Sequence, residues 1–199
     1  MQDKKKLYIL LTDTGTLLTR TIKAYTKEPY NHASIAFDAE LRDVYSFGRK
    51  CESNPFRGGF VKETIRGPLF LNEDHDTTCA LYVCEVGKAA YDRIRRTVRE
   101  MQKREDDYKY NLLGLFGVML NVRLKRKNAY FCSQFVSEVA LTGGVSLVDK
   151  CPELTTPGDL GRSALLRPVY SGSLKEYPPL RRWLDGECAA AALPERIPG

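Results

Sequence analysis

Two short stretches hold the residues whose chemistry would matter together. In "NAYFCSQFVSEVALTGG" (Asn128 to Gly144), Cys132 opens what reads as a short helix. In "NHASIAFD" (Asn31 to Asp38), His32 opens what reads as a strand, and the chain has only one other histidine, His75, in the acidic loop "NEDHD". Cys132, Phe135, Val136 and Val139 recur at i, i+3, i+4 and i+7, one helical face, so the thiol points inward from the first turn. A helix N-terminus favours a thiolate, and its free amides can bind an oxyanion. A thiolate nucleophile works best beside a base. His32 shares its strand face with Ser34 and Ala36, and these small neighbours leave room for a helix start to pack close. On the following strand, Val44, Ser46 and Gly48 share a face, which makes Ser46 the candidate to orient the far ring nitrogen of His32. By spacing alone each residue has a plainer reading: Cys132 as core filling, His32 as a structural residue, Ser46 as a small strand residue.

The elements that must position this trio follow from periodicity. "KLYILLT" reads as a buried strand, with a helix expected over Thr16 to Tyr25 and capped by Asp13 or Thr14. "HASIAFD" and "VYSFG" are joined by the turn "LRD" as a hairpin, and "GFVKETI" and "CALYVCEV" supply two more strands. From Lys88 to about Arg104, Tyr91, Ile94, Val98 and Met101 form one apolar stripe of a helix. "YKYNLLGLFGVML" is a second helical stretch, broken by Gly114 and Gly117. Gly143–Gly144 end the Cys132 helix, Pro157 starts a short helical turn, and "LLRPVYSGSL" is a last strand. The pattern is α+β: an antiparallel sheet with helices packed on it. Residues 1–183 form one domain, and 184–199 an alanine-rich, weakly ordered tail.

Composition bounds the rest. The 199 residues, 43% hydrophobic and 28% charged, suffice for a real core. The net charge of +6 is clustered at Lys4–Lys6, over Arg93 to Arg104 and in "RLKRK" (Arg123 to Lys127). That favours peripheral contact with anionic surfaces, but no zinc-finger, helix-turn-helix or aromatic-interleaved basic motif points to specific nucleic-acid binding. The apolar run Leu7 to Leu11 is too short for a secretory core, and no run approaches the roughly 20 residues that span a bilayer. A cytoplasmic setting with reduced thiols is therefore expected. The six cysteines (51, 79, 84, 132, 151, 188) show no framework spacing, and Cys79 and Cys84 fall on opposite strand faces, which makes them poor joint metal ligands. No cofactor or metal is called for.

The succession "HASIAFD", "VYSFGRK", "YNLLGL", "YFCSQFVSEVAL" and "TTPGDL" resembles the circularly permuted branch of the papain-like fold, which includes the YiiX-like enzymes grouped with NlpC-type amidases and peptidases. In that branch the histidine strand precedes the cysteine helix, as here, and the resemblance covers about Leu7 to Leu160. It implies a permuted papain-like fold, with Cys132 as nucleophile and His32 as base. It also implies a third polar residue on the strand after the histidine, often Glu, where this chain has Ser46. The expected activity is cleavage of an amide in a small peptide, amide or acyl substrate through a thioester acyl-enzyme. The lecithin retinol acyltransferase group is similar in order, so acyl transfer to or from lipids, or thioester hydrolysis, is the alternative, and a non-catalytic binding module of the same fold is a third.

Overall fold

The computed structural model describes residues 3–13, 28–50, 58–71 and 76–191. The expected helix over Thr16 to Tyr25, Cys51 and His75 lie outside them. Six strands form one antiparallel sheet: β1 (Lys4–Asp13), β2 (His32–Ala36), β3 (Val44–Arg49), β4 (Gly58–Glu63), β5 (Thr78–Gly87) and β8 (Arg167–Ser173), in the order β4-β3-β2-β1-β5-β8. A separate two-residue parallel pair joins β6 (Lys109–Tyr110) to β7 (Ala129–Tyr130). Among the described residues the α-helices are α1 (Lys88–Lys103), α2 (Leu112–Met119), α3 (Cys132–Thr142), α4 (Pro157–Gly161) and α5 (Pro178–Ala191).

The sheet is covered on both faces, which explains why its centre reads as an unbroken apolar run. β1 is buried from Leu7 to Asp13. Its Leu7, Ile9 and Leu11 join α1 and α3 in one cluster with Ile94, Val98, Phe135 and Val139. Its Tyr8 and Leu10 face the other way, toward Leu174, Tyr177 and Leu180 at the start of α5. Period-2 alternation along a strand buried on both sides produces this division. It also places Cys84 in the first cluster and Cys79 in the second, on opposite faces as their spacing requires.

Two segments depart from the sequence pattern. The stretch from Tyr108 is not helical throughout: Lys109–Tyr110 is a strand, and the helix begins at Leu112. Asn111 makes the break. Its Oδ1 accepts the Gly114 amide (3.0 Å) and its Nδ2 donates to the Leu124 carbonyl (3.2 Å), so it caps α2 and ties the returning chain to it. At the other end, α5 runs to Ala191, beyond Trp183, where the tail was expected to start. Prolines lead the helix, Leu180 is buried, and the alanines read as tail residues are strong helix formers. Among the described residues no helix is long and apolar enough to cross a membrane.

Candidate active site

Cys132 is the first residue of α3, and it is buried. Phe131 precedes it in extended conformation, and its amide donates to the Gln134 side chain (3.4 Å). Ser133 Oγ donates to the Thr155 carbonyl (2.7 Å), pinning the first turn to the loop before α4. Phe135, Val136 and Val139 seat the helix on the sheet as their spacing predicts. Burial extends further around the helix than that stripe, taking in Ser133, Gln134 and Ser137, because chain packs on its far side as well.

His32 faces away from α3. Ala33 and Ile35 belong to the cluster beneath α1 and α3, so His32 and Ser34 project from the opposite face of β2. The two residues meet because the sheet opens. The β2–β3 ladder contains only Ile35↔Tyr45 and Ala36↔Val44, so the start of β2 lies beyond it. There the Ala33 backbone hydrogen-bonds the Cys132 sulfur, and the His32 side chain interacts with the same sulfur. The thiol thus sits against the start of β2.

The third member is a residue the sequence did not reveal. His32 Nε2 lies 2.6 Å from Glu63 Oε1, which leaves Nδ1 as the ring nitrogen open to the sulfur. Glu63 is buried at the end of β4, two strands away from β2. Its carboxylate crosses β3 over a small residue: Ser46 Oγ donates to Oε1 (2.5 Å) and Ser34 Oγ donates to Oε2 (2.9 Å). The expectation that Ser46 orients the ring directly is therefore corrected. Ser46 holds the carboxylate, and the carboxylate holds the ring. The face Ser34–Ser46–Glu63 follows from the register, in which Val44 pairs with both Ala36 and Glu63. The available signal was an acid closing "GFVKE" on the same strand face as Gly59 and Val61.

Burial makes the charges in this cluster costly, and their mutual interaction outweighs that cost. Desolvation alone would lower the pKa of His32, yet the Glu63 carboxylate and the Cys132 sulfur push it up to about 10. Desolvation would raise Glu63, but the imidazolium and the hydrogen bonds from His32, Ser46 and Ser34 hold it below its usual range. Burial would likewise raise Cys132. The His32 ring and the backbone hydrogen bonds from Ala33 and Ser133 bring it below the ordinary thiol range. The shifts of all three groups thus favour the charged pair, sulfur and imidazole, held by a charged carboxylate. Burial drives the other core thiols the opposite way, Cys79 to about 12 and Cys84 upward. Tyr110, on β6, is also raised, by burial and then by the charge of Cys132, so a protonated phenol borders the sulfur.

Such a cluster can attack an acyl carbon, carry a proton to a leaving group and activate water for deacylation. The structure brings Cys132 and His32, paired from the sequence, into contact. Neither a protein-family model nor a curated protein sequence matches this chain.

Proposed function

We propose that the chain is a cysteine hydrolase of the permuted papain-like type, cleaving an amide or related acyl bond through a thioester. What carries this reading is the chain of contacts Cys132–His32–Glu63, in which a helix-terminal sulfur, an imidazole and a carboxylate are connected in order. The order of histidine strand and cysteine helix, and the sheet packed against α3, are consistent with the permuted papain-like fold.

In the first step the Cys132 thiolate attacks the acyl carbon. A C–S bond forms and the carbonyl electrons move onto oxygen. The Ser133 backbone at the start of α3, already directed at the sulfur, lies where it can help stabilise that oxyanion. The His32 imidazolium donates its proton to the departing amine as the C–N bond breaks. In the second step neutral His32 takes a proton from water, hydroxide adds to the thioester carbon, and the collapse releases the acid and restores the thiolate. Glu63 keeps Nε2–H directed at itself, so Nδ1 faces the reacting atoms throughout.

The test is an electrophilic activity probe on purified protein, followed by a screen of peptide, amide and acyl-lipid substrates against Cys132→Ala. The expected result is labelling at Cys132 and turnover that vanishes in the variant while its melting curve is retained. An acyl product found on an added amine or alcohol rather than on water would make the protein a transferase using the same acyl-enzyme. A wild type inert to every probe and substrate would leave a binding module.

A further inference from the structure

The segment from α2 to β7 contains features that the acyl-transfer chemistry does not use. α2, "LLGLFGVM", has no polar side chain. A helix apolar all round belongs inside a protein, yet this one lies at the surface. Leu113 is 57% exposed, and in the return loop Leu120 is 75%, Val122 48% and Leu124 39% exposed. Leu112, Leu115 and Val118 are only half-buried. So many uncovered apolar side chains along one helix and the loop that returns on it are the kind of surface monomers seldom leave exposed.

The patch is held in shape. The Val122 amide donates to the Gly117 carbonyl (2.8 Å), and Asn111 bonds the Leu124 carbonyl (3.2 Å). A Cβ on Gly117 would come within 2.6 Å of the Val122 carbonyl, so glycine is what lets the loop lie flush on the helix. The Leu120 and Val122 side chains are thereby presented outward from a braced hairpin.

Its charge is one-sided. From Tyr108 to Ser137 there is no Asp or Glu, and the same span holds Lys109, Arg123, Lys125, Arg126 and Lys127. The four cations of the return loop are exposed. Lys125 lies 3.8 Å from Glu153, and the acidic turn Glu105–Asp107 precedes β6, its Asp106 paired with Lys50. Exposed leucines interleaved with Arg123, Arg126 and Lys127, which face no carboxylate among the described residues, match an anionic bilayer surface, where apolar side chains enter the acyl boundary and cations meet headgroups. A nucleic acid would leave the leucines uncovered, and an acidic protein would have to supply its own apolar recess.

We propose that the 112–127 hairpin docks this protein on anionic lipid membranes. The surface adjoins the candidate site through the β6–β7 pair: the Asn111 amide donates to the Tyr130 carbonyl (2.8 Å), two residues before Cys132. Docking would present Cys132 to molecules lying in the interface. The proposal does not depend on the hydrolase reading, because binding is measured without turnover.

The test is sedimentation of the full chain with phosphatidylcholine vesicles, with and without phosphatidylglycerol. The wild type is expected to pellet only with the phosphatidylglycerol vesicles and to be released by high salt. The triple variant R123Q/R126Q/K127Q, which spares Lys125 and its contact with Glu153, is expected to lose on the order of a hundredfold in partitioning. L120S/V122S should bind more weakly and detach at lower salt. All these positions are exposed, and thermal melts confirm that the variants fold. A wild type that stays in the supernatant, or variants that pellet as well as wild type, would overturn the proposal. So would a wild-type dimer in light scattering that L120S/V122S converts to monomer, since a second copy would then be the occupant.

Discussion

At the scale of single residues, the reactivity of Cys132 depends on three neighbours rather than on its own helix alone. His32, Ala33 and Ser133 all lower its pKa against burial, so it should alkylate faster than Cys79 and Cys84 near neutral pH, and should still do so below pH 7. Mass-spectrometric mapping after brief iodoacetamide treatment checks this; labelling elsewhere with Cys132 untouched would mark it as an inert core thiol. Glu63→Gln keeps the size of the side chain but removes the charge that raises His32, so the alkaline limit of activity should move down from about 10. The same change should cost on the order of 10- to 100-fold in kcat, as imidazolium stabilisation is lost. Ser46→Ala removes one of several hydrogen bonds on the carboxylate and should cost about tenfold or less. Comparing kcat across pH for both variants separates the two roles. Cys132 and His32 were legible because each stands at the start of its element among small or apolar neighbours. Glu63 was not, because a single buried acid at a strand end looks like any surface acid until the register puts it on the face of Ser34 and Ser46, within reach of His32.

At the scale of elements, the site depends on backbones that approach closely. β4 begins Gly58–Gly59, and a Cβ at Gly59 would come within 2.5 Å of the Tyr108 carbonyl, while one at Gly58 would come within 2.8 Å of the Tyr110 Cβ. These glycines let β6 lie against β4 and hold Tyr110 near the Cys132 sulfur. Gly59→Ala should therefore destabilise by about 1–3 kcal/mol, and should lower turnover beyond what the lost stability explains. Urea denaturation together with kinetics on the folded fraction checks both. A different contribution comes from Thr156, whose hydroxyl accepts the Asp159 amide (3.0 Å) at the start of α4 while Asp159 bonds back to Thr156. Thr156→Ala should cost about 1 kcal/mol, measured in the same way, and should leave Cys132 labelling unchanged. The strands and α1 were legible because each buries a face with its own period. β6 and the start of α2 were not: an apolar run carries no period to separate strand from helix, and the break rests on one asparagine side chain.

At the scale of the whole molecule, the buried triad couples stability to pH in both directions. Glu63 has a folded pKa below its unfolded value, so its stabilisation is present above the ordinary carboxylate range and is lost as pH falls through the depressed value. His32 is raised, so its stabilisation is complete below its unfolded value of about 6.5 and is lost as pH rises through about 10. The wild type should therefore lose more stability than Glu63→Gln on acidification from neutrality, as read from urea midpoints at matched pH. Equal losses would mean that Glu63 is not charged in the native protein.

The three residues of that triad come from β2, β4 and α3, and a hundred positions separate His32 from Cys132. At ribosomal speeds of about 5–20 residues per second, His32 and Glu63 are synthesised several seconds before the thiol exists. When Cys132 does emerge it is an ordinary cysteine, because its partners wait on strands it has not yet reached. Its pKa drops only when α3 packs against the start of β2 and brings the sulfur to His32 and Ala33. A nascent or unfolded copy of this chain is thus chemically quiet, and the appearance of a fast-reacting thiol during refolding would time the docking of α3 without any added probe of structure.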